Sequence, residues 1–154
     1  MRLTTQSEYA LICLKALCQV ALGRPLSIHE IAERESMSKD YIEQLFLKLR
    51  KADIVRSVKG VHGGYVLAKD PSLITLKEVI EALEGDIYEV FCSPEVRQKI
   101  VCMHFEHCSL RPVWLKLKQM IDDFFGHLTL DMLLKDEESM RKGLQIEYSL
   151  ASIR

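Results

Sequence analysis

Three cysteines in one stretch of the chain, Cys92, Cys102 and Cys108, are the side chains best suited to bind a metal centre. Nine and then five residues separate them, and residues 86–108 lack the apolar periodicity of a helix or strand. Thiolates that converge from such a loop suit an iron-sulfur cluster or zinc. The absence of a CxxC pair argues against a zinc ribbon or a thioredoxin-like site. The alternative is that the three are small buried apolar side chains.

A cluster bound by these three thiolates needs a fourth protein ligand. His104 and His107 lie in the same stretch, and Glu8 lies near the start of the chain. A carboxylate ligand would exchange more readily than a thiolate, which suits a sensor. Glu8 also has a purely structural interpretation, because Thr5 and Glu8 have the spacing of a capping box at the start of a helix.

Composition limits the class of protein. The 154 residues, 48 % of them apolar, can form one core with an appended element. The sequence has no apolar run long enough for a membrane helix and no signal-peptide pattern at its start, so we expect a cytoplasmic protein with no membrane partner.

The five cysteines are an odd number, which disfavours a disulfide framework, and Cys13 and Cys18 lie on apolar helical stripes as predicted core residues. Residues 1–70 contain 11 basic and 8 acidic side chains, and residues 71–154 contain 10 and 14. This bias alone is weak evidence for nucleic-acid binding.

The spacing of apolar residues predicts three helices followed by a glycine-rich hairpin. The predicted elements are helices over residues 5–22 and 28–34, a third helix opening at Ser38, and strands over residues 54–58 and 65–68. The first helix is expected to be packed on two sides, with Tyr9 and Ile12 on one stripe. This order predicts a mainly α fold with a small β-hairpin wing, a winged helix-turn-helix. In that motif the third helix enters the major groove of DNA and the wing contacts the backbone or minor groove.

The third helix and the wing carry the candidate DNA contacts. Gln44 can bond adenine, and Glu43 can accept a hydrogen bond from cytosine. The apolar pattern turns either Tyr41 or Ile42 inward and leaves Lys48 on the polar outer face. Lysine and backbone amides on the wing suit phosphate, although each residue taken singly fits an exposed surface position equally well. The predicted contacts are Arg2, Ser38, Lys39, Tyr41, Glu43, Gln44, Arg56, Lys59, Gly60, His62, Gly63 and Gly64.

A further helix opens at the capping box Thr75–Glu78, and a long helix over residues 110–125 is expected to stop at Gly126. The long helix has more apolar width than one small domain can cover, so we expect it to pack against a second copy rather than on its own domain. Its predicted interface residues are Val113, Leu117, Met120, Ile121 and Phe124. A homodimer would present two third helices to a palindromic site in double-stranded DNA. The predicted organisation is a DNA-binding domain over residues 1–85, a cysteine loop over 86–108, a dimerisation helix and short helix over 109–135, and a tail over 136–154.

Short motifs from residue 1 to about residue 135 carry a family resemblance. They are Met1-Arg-Leu-Thr-Thr, Ser7-Glu-Tyr-Ala-Leu11, Ile31-Ala-Glu33, Tyr41-Ile-Glu-Gln-Leu45, Leu49-Arg-Lys-Ala52, Gly60-Val-His-Gly-Gly-Tyr65, Val79-Ile-Glu-Ala-Leu-Glu-Gly85, Cys108-Ser-Leu-Arg-Pro-Val-Trp114 and Leu128-Thr-Leu-Asp-Met-Leu-Leu134. Together they resemble the Rrf2 family of winged-helix transcription regulators, in particular its IscR-like and NsrR-like iron-sulfur members.

The resemblance implies a dimer with crossed long helices and an iron-sulfur cluster, [2Fe-2S] or [4Fe-4S], held by the three loop cysteines near the partner's first helix. It also implies that DNA affinity changes with cluster state. Arg111 stands where IscR-like members carry a histidine ligand, and Glu8 falls where NsrR-like members carry an acidic ligand from the other subunit. We therefore prefer Glu8 of the partner subunit as the fourth ligand, with His104 and His107 as weaker candidates. The gap between Cys92 and Cys102 is longer than is usual in the family.

The leading hypothesis is thus a DNA-binding regulator, repressor or activator, that senses redox state, nitric oxide or iron supply through its cluster. A cluster-free regulator of the same fold that uses its thiols directly is the main alternative. A zinc-stabilised interaction module and a small redox enzyme are weaker alternatives. The sequence contains no dinucleotide-binding loop, P-loop or CxxC motif, so we expect no enzyme activity.

Overall fold

Helices and a two-stranded hairpin surround one apolar core in the computed structural model, which describes residues 3–20, 23–88, 102–104 and 107–145. The elements are α1 (Thr5–Cys18), α2 (Ile28–Glu35), α3 (Lys39–Lys51), β1 (Val55–Val58), β2 (Gly64–Leu67), a 3-10 helix (Pro71–Leu73), α4 (Leu76–Glu84), α5 (Leu110–His127), a second 3-10 helix (Leu130–Leu134) and α6 (Glu137–Gly143). This architecture confirms the predicted mainly α fold with a hairpin wing. Within the described ranges, no helix combines the length and apolarity needed to cross a bilayer.

Local capping signals start α2 and α4 where the sequence predicts. The Glu30 carboxylate accepts a hydrogen bond from the Ser27 amide at 2.8 Å, while the Ser27 hydroxyl accepts one from the Glu30 amide at 3.2 Å. Thr75 and Glu78 form the same reciprocal pair at the start of α4. Each box satisfies amides that the first helical turn leaves without intrahelical partners. Both helix starts are therefore set by residues three positions apart.

The core is built where α1, α2 and α3 meet the base of the hairpin. Leu14, Ile31, Phe46 and Leu49 are fully buried there. The predicted core position of Cys13 is confirmed, since its side chain is also fully buried. Apolar burial of this kind is the main favourable contribution to folding, and it holds the third helix firmly against the rest of the domain.

The chain returns to this domain after α5. The Leu76 amide donates to the Leu128 carbonyl at 2.8 Å, and the Leu130 amide donates to the Ile74 carbonyl at 3.0 Å. Leu130 is fully buried, and its 3-10 helix packs against α1. The segment that follows the long helix is therefore fixed to α1 and to the start of α4.

Two predictions about α1 are wrong. The helix ends at Cys18 rather than at residue 22, and its last turn closes through the Gln19 amide, which donates to the Lys15 carbonyl at 3.1 Å. Tyr9 and Ile12, which we predicted to be packed, are 39 % and 38 % exposed. The buried face of α1 combines four small residues, which allow close packing, with two leucines: Ser7, Ala10, Cys13, Leu14, Ala16 and Leu17.

The end of the chain also departs from the prediction. α5 runs through Gly126 to His127, because Gly126 does not adopt the left-handed conformation that ends many helices at a glycine. The charged tail, for which the sequence predicts no element, contains α6. The Asp136 side chain starts that helix by accepting from the Ser139 amide at 3.0 Å.

Candidate nucleic-acid interface and metal centre

One side of α3 is polar and exposed along its whole length. The helix begins after Ser38, whose hydroxyl accepts a hydrogen bond from the Tyr41 amide at 3.2 Å. Its apolar side, which includes Ile42 rather than Tyr41, is buried in the core. The exposed residues are Lys39, Asp40, Glu43, Gln44, Leu47, Arg50 and Lys51. At 3.6 residues per turn they fall within one arc of about 140°. A helix with such a face is available to a DNA groove.

The predicted contacts on α3 occupy different parts of this surface. Lys39, Glu43 and Gln44 lie within the exposed arc. Tyr41 lies at its edge, half-buried, with its ring edge-on to Tyr9 at a centroid distance of 5.8 Å. Leu47 lies near the middle of the arc and is 45 % exposed, although it is not among the contacts predicted from the sequence. Its helical position relative to Glu43 was the signal that could have identified it.

Lys48 is not on the outer face where the polar pattern put it. Its ammonium group donates to the Gln6 side-chain oxygen at 2.7 Å and to the Leu83 carbonyl at 3.1 Å. The lysine is half-buried between α1 and the end of α4. Sequence periodicity alone cannot reveal this, because both partners lie more than 30 residues away along the chain.

The wing is a hairpin that is also paired to the segment before α2. β1 and β2 are antiparallel, and Leu26 and Tyr65 exchange two backbone hydrogen bonds, at 3.0 and 2.8 Å. A methyl group added at Gly64 would lie 2.2 Å from the Leu26 carbonyl oxygen, and one added at Gly63 would lie 2.3 Å from the Val58 carbonyl oxygen. Both glycines are thus required by the close approach of backbone segments.

The tip of the wing presents its side chains to solvent. Lys59, Gly60 and His62, three of the predicted DNA contacts, are exposed. The Gly63 amide, by contrast, donates to the Gly60 carbonyl at 2.9 Å and is used within the turn. Arg56 is exposed and pairs with Asp53 at 3.3 Å, a surface ion pair weak enough to exchange for a phosphate. Arg2 lies outside the described residues.

The four described cysteines are free thiols in two kinds of environment. Burial, with a smaller contribution from the Glu35 carboxylate, raises the pKa of Cys13 to about 12. Burial and the Asp131 carboxylate raise the pKa of Cys18 to about 11. Both are therefore poor thiolate ligands. Cys102 is exposed and Cys108 half-buried, while Cys92 lies outside the described residues.

Cys108 lies next to the positive end of a helix dipole. It directly precedes Ser109, the N-cap residue of the 18-residue helix α5, and the Ser109 side chain makes no capping hydrogen bond. Amides at a helix N-terminus favour negative charge and lower the energy of a nearby thiolate. The exposed Cys102 thiol and the half-buried Cys108 thiol have the donor chemistry that a cluster of iron and sulfide takes. His104 and His107, on the same stretch, are also exposed.

Glu8 does not form the capping box that was the structural alternative to a ligand role. Thr4 is the N-cap of α1, and the carboxylate that binds its amide and hydroxyl belongs to Glu84, which also accepts from the Ser7 hydroxyl at 3.0 Å. Burial acts to raise the pKa of Glu84, but the hydrogen bonds from Thr4 and Ser7 outweigh it and lower the pKa. Glu8 is left exposed on the first turns of α1.

Carboxylates also gather where α4 meets α5. Glu81, Asp86 and Asp122 form the one set of three metal-ligating side chains that come together among the described residues. Two lysines pair with these carboxylates: Lys118 lies 3.0 Å from Asp86, and Lys77 lies 3.3 Å from Asp122. This group is therefore an ion-pair network that fastens one side of α5 to α4.

The other side of α5 is apolar and uncovered. None of its residues is buried, and Val113, Leu117, Met120 and Phe124 are between 37 % and 58 % exposed. Ile121, the fifth predicted interface residue, is half-buried. The helix therefore does not hide its apolar stripe by folding back on its own domain, which was the alternative prediction. Contiguous exposed apolar surface of this kind is typical of a protein interface.

Known proteins with the same sequence features and fold are transcription regulators rather than enzymes. The family model Rrf2, described as an iron-dependent transcriptional regulator, matches residues 3–136. The HTH-type transcriptional regulator IscR of Vibrio campbellii is 35 % identical over 151 residues, which cover 98 % of this chain and 88 % of the relative. The solved structure of T. potens IscR has a TM-score of 0.66 and 34 % identity and covers 90 % of each chain. CymR, the global cysteine regulator of B. subtilis, has a TM-score of 0.70 and 28 % identity, covering 88 % of this chain and 99 % of the other.

Proposed function

Because the chain belongs to the Rrf2 family of transcriptional regulators, we propose that it binds a palindromic operator as a homodimer and that an iron-sulfur cluster controls its DNA affinity. The observation that carries DNA binding is the exposed polar arc of α3 beside the glycine-tipped wing. Gln44 and Glu43 read base edges in the major groove, while Lys39 and Lys59 contact phosphates. Phosphate contacts position the protein, and base contacts give it sequence preference.

The uncovered face of α5 supports the homodimer. A partner copy of α5 would cover the exposed Val113, Leu117, Met120 and Phe124 side chains. Two-fold symmetry then places two copies of α3 on one side of the assembly, where they meet the two halves of a palindrome. The ion-pair network at Lys118 keeps each α5 fixed to its own DNA-binding domain, so the dimer interface sets the spacing of the two recognition helices.

The loop thiols support the cluster. Cys92, Cys102 and Cys108 would provide three ligands, and Glu8 of the partner subunit the fourth, with His104 and His107 as the other candidates. The accessibility of Cys102 and the position of Cys108 at the start of α5 suit thiolate ligands, in contrast to the buried Cys13. When bound, the cluster supplies a centre that responds to oxidants, nitric oxide or iron supply.

The test is to purify the protein without oxygen, measure its iron, sulfide and visible absorption, and titrate operator DNA with the loaded and the cluster-free protein. We expect stoichiometric iron and sulfide. We also expect the loaded and cluster-free proteins to differ 5- to 150-fold in DNA affinity, which corresponds to the usual allosteric coupling free energy of roughly 1–3 kcal/mol. Cys102→Ala should abolish the visible absorption and leave the dimer intact. Cys18→Ala is the matched control and should keep the absorption. An unchanged spectrum in the Cys102 variant would contradict the ligand assignment.

The same experiment distinguishes cluster control from the main alternative, a cluster-free regulator of the same fold. The similarity to CymR, a cysteine regulator by its name, favours a cluster-free regulator as the second candidate. In that case the protein stays colourless and iron-free even after reconstitution, yet binds DNA, and its affinity responds to thiol oxidation. Stoichiometric zinc without iron would instead indicate a structural metal.

A further inference from the structure

Lys48 joins the recognition helix to two other helices. Its ammonium group lies 2.7 Å from the Gln6 side-chain oxygen on α1 and 3.1 Å from the Leu83 carbonyl in the last turn of α4. A lysine ammonium has three hydrogen-bond donors, and in Lys48 two of them bond these acceptors. One side chain on α3 therefore contacts α1 and α4 together.

The part of α1 that Lys48 contacts is the part that carries Glu8. Gln6 and Tyr9 lie on either side of Glu8, and each contacts α3: Gln6 bonds Lys48, and the Tyr9 ring packs edge-on against Tyr41 at 5.8 Å. Two separate side-chain contacts would therefore transmit a movement of the first turns of α1 to α3.

The end of α4 is tied into the same junction. Leu83, whose carbonyl Lys48 binds, is followed by Glu84, which bonds Thr4 and Ser7 at the start of α1. The cysteine stretch begins two residues after Glu84. The junction thus brings together the start of α1, the end of α4 that leads into the cysteine stretch, and the recognition helix.

We infer that Lys48 is a positioning residue for DNA recognition, which sets the pose of α3 by holding it to Gln6 and Leu83 and does not contact phosphate. It transmits displacements of the Glu8-bearing turn to the exposed arc of α3. The inference rests on the proposed role of α3 in reading DNA. If the inference is right, Lys48 contributes to specific DNA binding but does not contribute to the salt dependence of that binding.

The test compares Lys48→Met with Lys39→Met in the full-length protein, using operator DNA and a scrambled duplex at several salt concentrations. Methionine keeps the length of the stem and removes the charge in both variants. A phosphate contact released from DNA lowers the slope of log affinity against log salt by about 1. We expect this loss of slope for the exposed Lys39. For Lys48→Met we expect an unchanged slope, about a tenfold loss of operator affinity, and unchanged affinity for the scrambled duplex. A slope reduced by about 1, with both duplexes weakened equally, would overturn the inference.

Gln6→Leu gives a second, independent test, because it removes the acceptor and leaves the lysine charge in place. It should reproduce the tenfold loss of operator affinity, and the double variant should lose no more than either single variant. Additive losses would overturn the inference; if Lys48→Met fails to fold, full operator affinity in Gln6→Leu alone would overturn it.

The cluster response adds a third measurement. We expect both variants to reduce the ratio of operator affinities between loaded and cluster-free protein. If the parent protein shows no such ratio, the proposed cluster control fails, but the salt-slope result still decides the role of Lys48. If the parent shows the ratio and both variants keep it in full, the transmitting role of Lys48 is refuted while cluster control stands.

Discussion

Replacing Gly64 by alanine should detach the wing from the segment before α2. The added methyl carbon would lie 2.2 Å from the Leu26 carbonyl oxygen, 2.4 Å from its carbon and 2.7 Å from the Ser27 amide nitrogen. All three atoms belong to the backbone, so no side-chain rotation relieves the contact. The wing and the Leu26–Ser27 segment must move apart.

The expected loss of folding free energy follows from the contacts that the substitution breaks. The two hydrogen bonds between Leu26 and Tyr65 each contribute about 0.5–1.5 kcal/mol net. The edge-to-face contact between Phe46 and Tyr65, at a centroid distance of 4.8 Å, adds roughly 0.5–1.5 kcal/mol where it is weakened. We therefore expect Gly64→Ala to lower the free energy of unfolding by about 2–4 kcal/mol.

Urea unfolding at one fixed protomer concentration measures this difference, since the stability of a dimer depends on concentration. Gly126→Ala is the control: it lies within α5, and an added methyl group there meets no atom within 4 Å. Helix propensity predicts that it stabilises the protein by about 0.5–1 kcal/mol. If Gly64→Ala unfolds at the same urea concentration as the parent, the steric argument for the wing is wrong.

Two further predictions concern the start of α1 and the face of α5. Glu84→Gln should destabilise the protein by roughly 1 kcal/mol at neutral pH, because hydrogen bonds from Thr4 and Ser7 favour the carboxylate and lower its pKa in the folded state. That stability is present above the pKa of the unfolded chain and is lost as pH falls through the folded pKa, so the difference in urea midpoint between variant and parent should shrink in acid; a constant difference would contradict the assignment. Phe124→Glu should weaken the proposed dimer by roughly 2–3 kcal/mol, about 30- to 150-fold in dissociation constant, because a half-exposed ring is lost from each subunit. Sedimentation measures it, with Leu73→Glu, at an exposed site outside α5, as the control; equal weakening by both variants would place the interface elsewhere.

Local signals in the sequence predicted most of the fold. The capping pairs Ser27–Glu30 and Thr75–Glu78 act over three residues, so their chemistry is visible in a short window. The hairpin was predictable for a similar reason, since its glycines fall between two β-type runs. The end of α1 at Cys18 was less visible, because the apolar pattern continues beyond the residue at which the helical hydrogen bonds stop.

The interactions that position the candidate site were hidden because they connect distant parts of the chain. Glu84 caps α1 across 80 residues, and this assignment leaves Glu8 exposed instead of in a capping box. Lys48 looks like a surface lysine in the sequence, and its partners are known only once α1, α3 and α4 are packed together. Side chains whose polarity matches an exposed face but whose partners lie far away are the ones that periodicity assigns wrongly.

The backbone pairing between residues 74–76 and 128–130 makes the fold tolerant of changes in the length of the cysteine stretch. Glu84 is held to the start of α1 and Leu128 to Leu76, so the chain leaves the DNA-binding domain and re-enters it at two fixed anchors. The cysteine stretch begins beside the first anchor, and added residues there need not move either anchor, because lengthening a closed segment costs little entropy. A cysteine stretch of altered length can therefore evolve, or be engineered, while α3 and the wing remain unchanged.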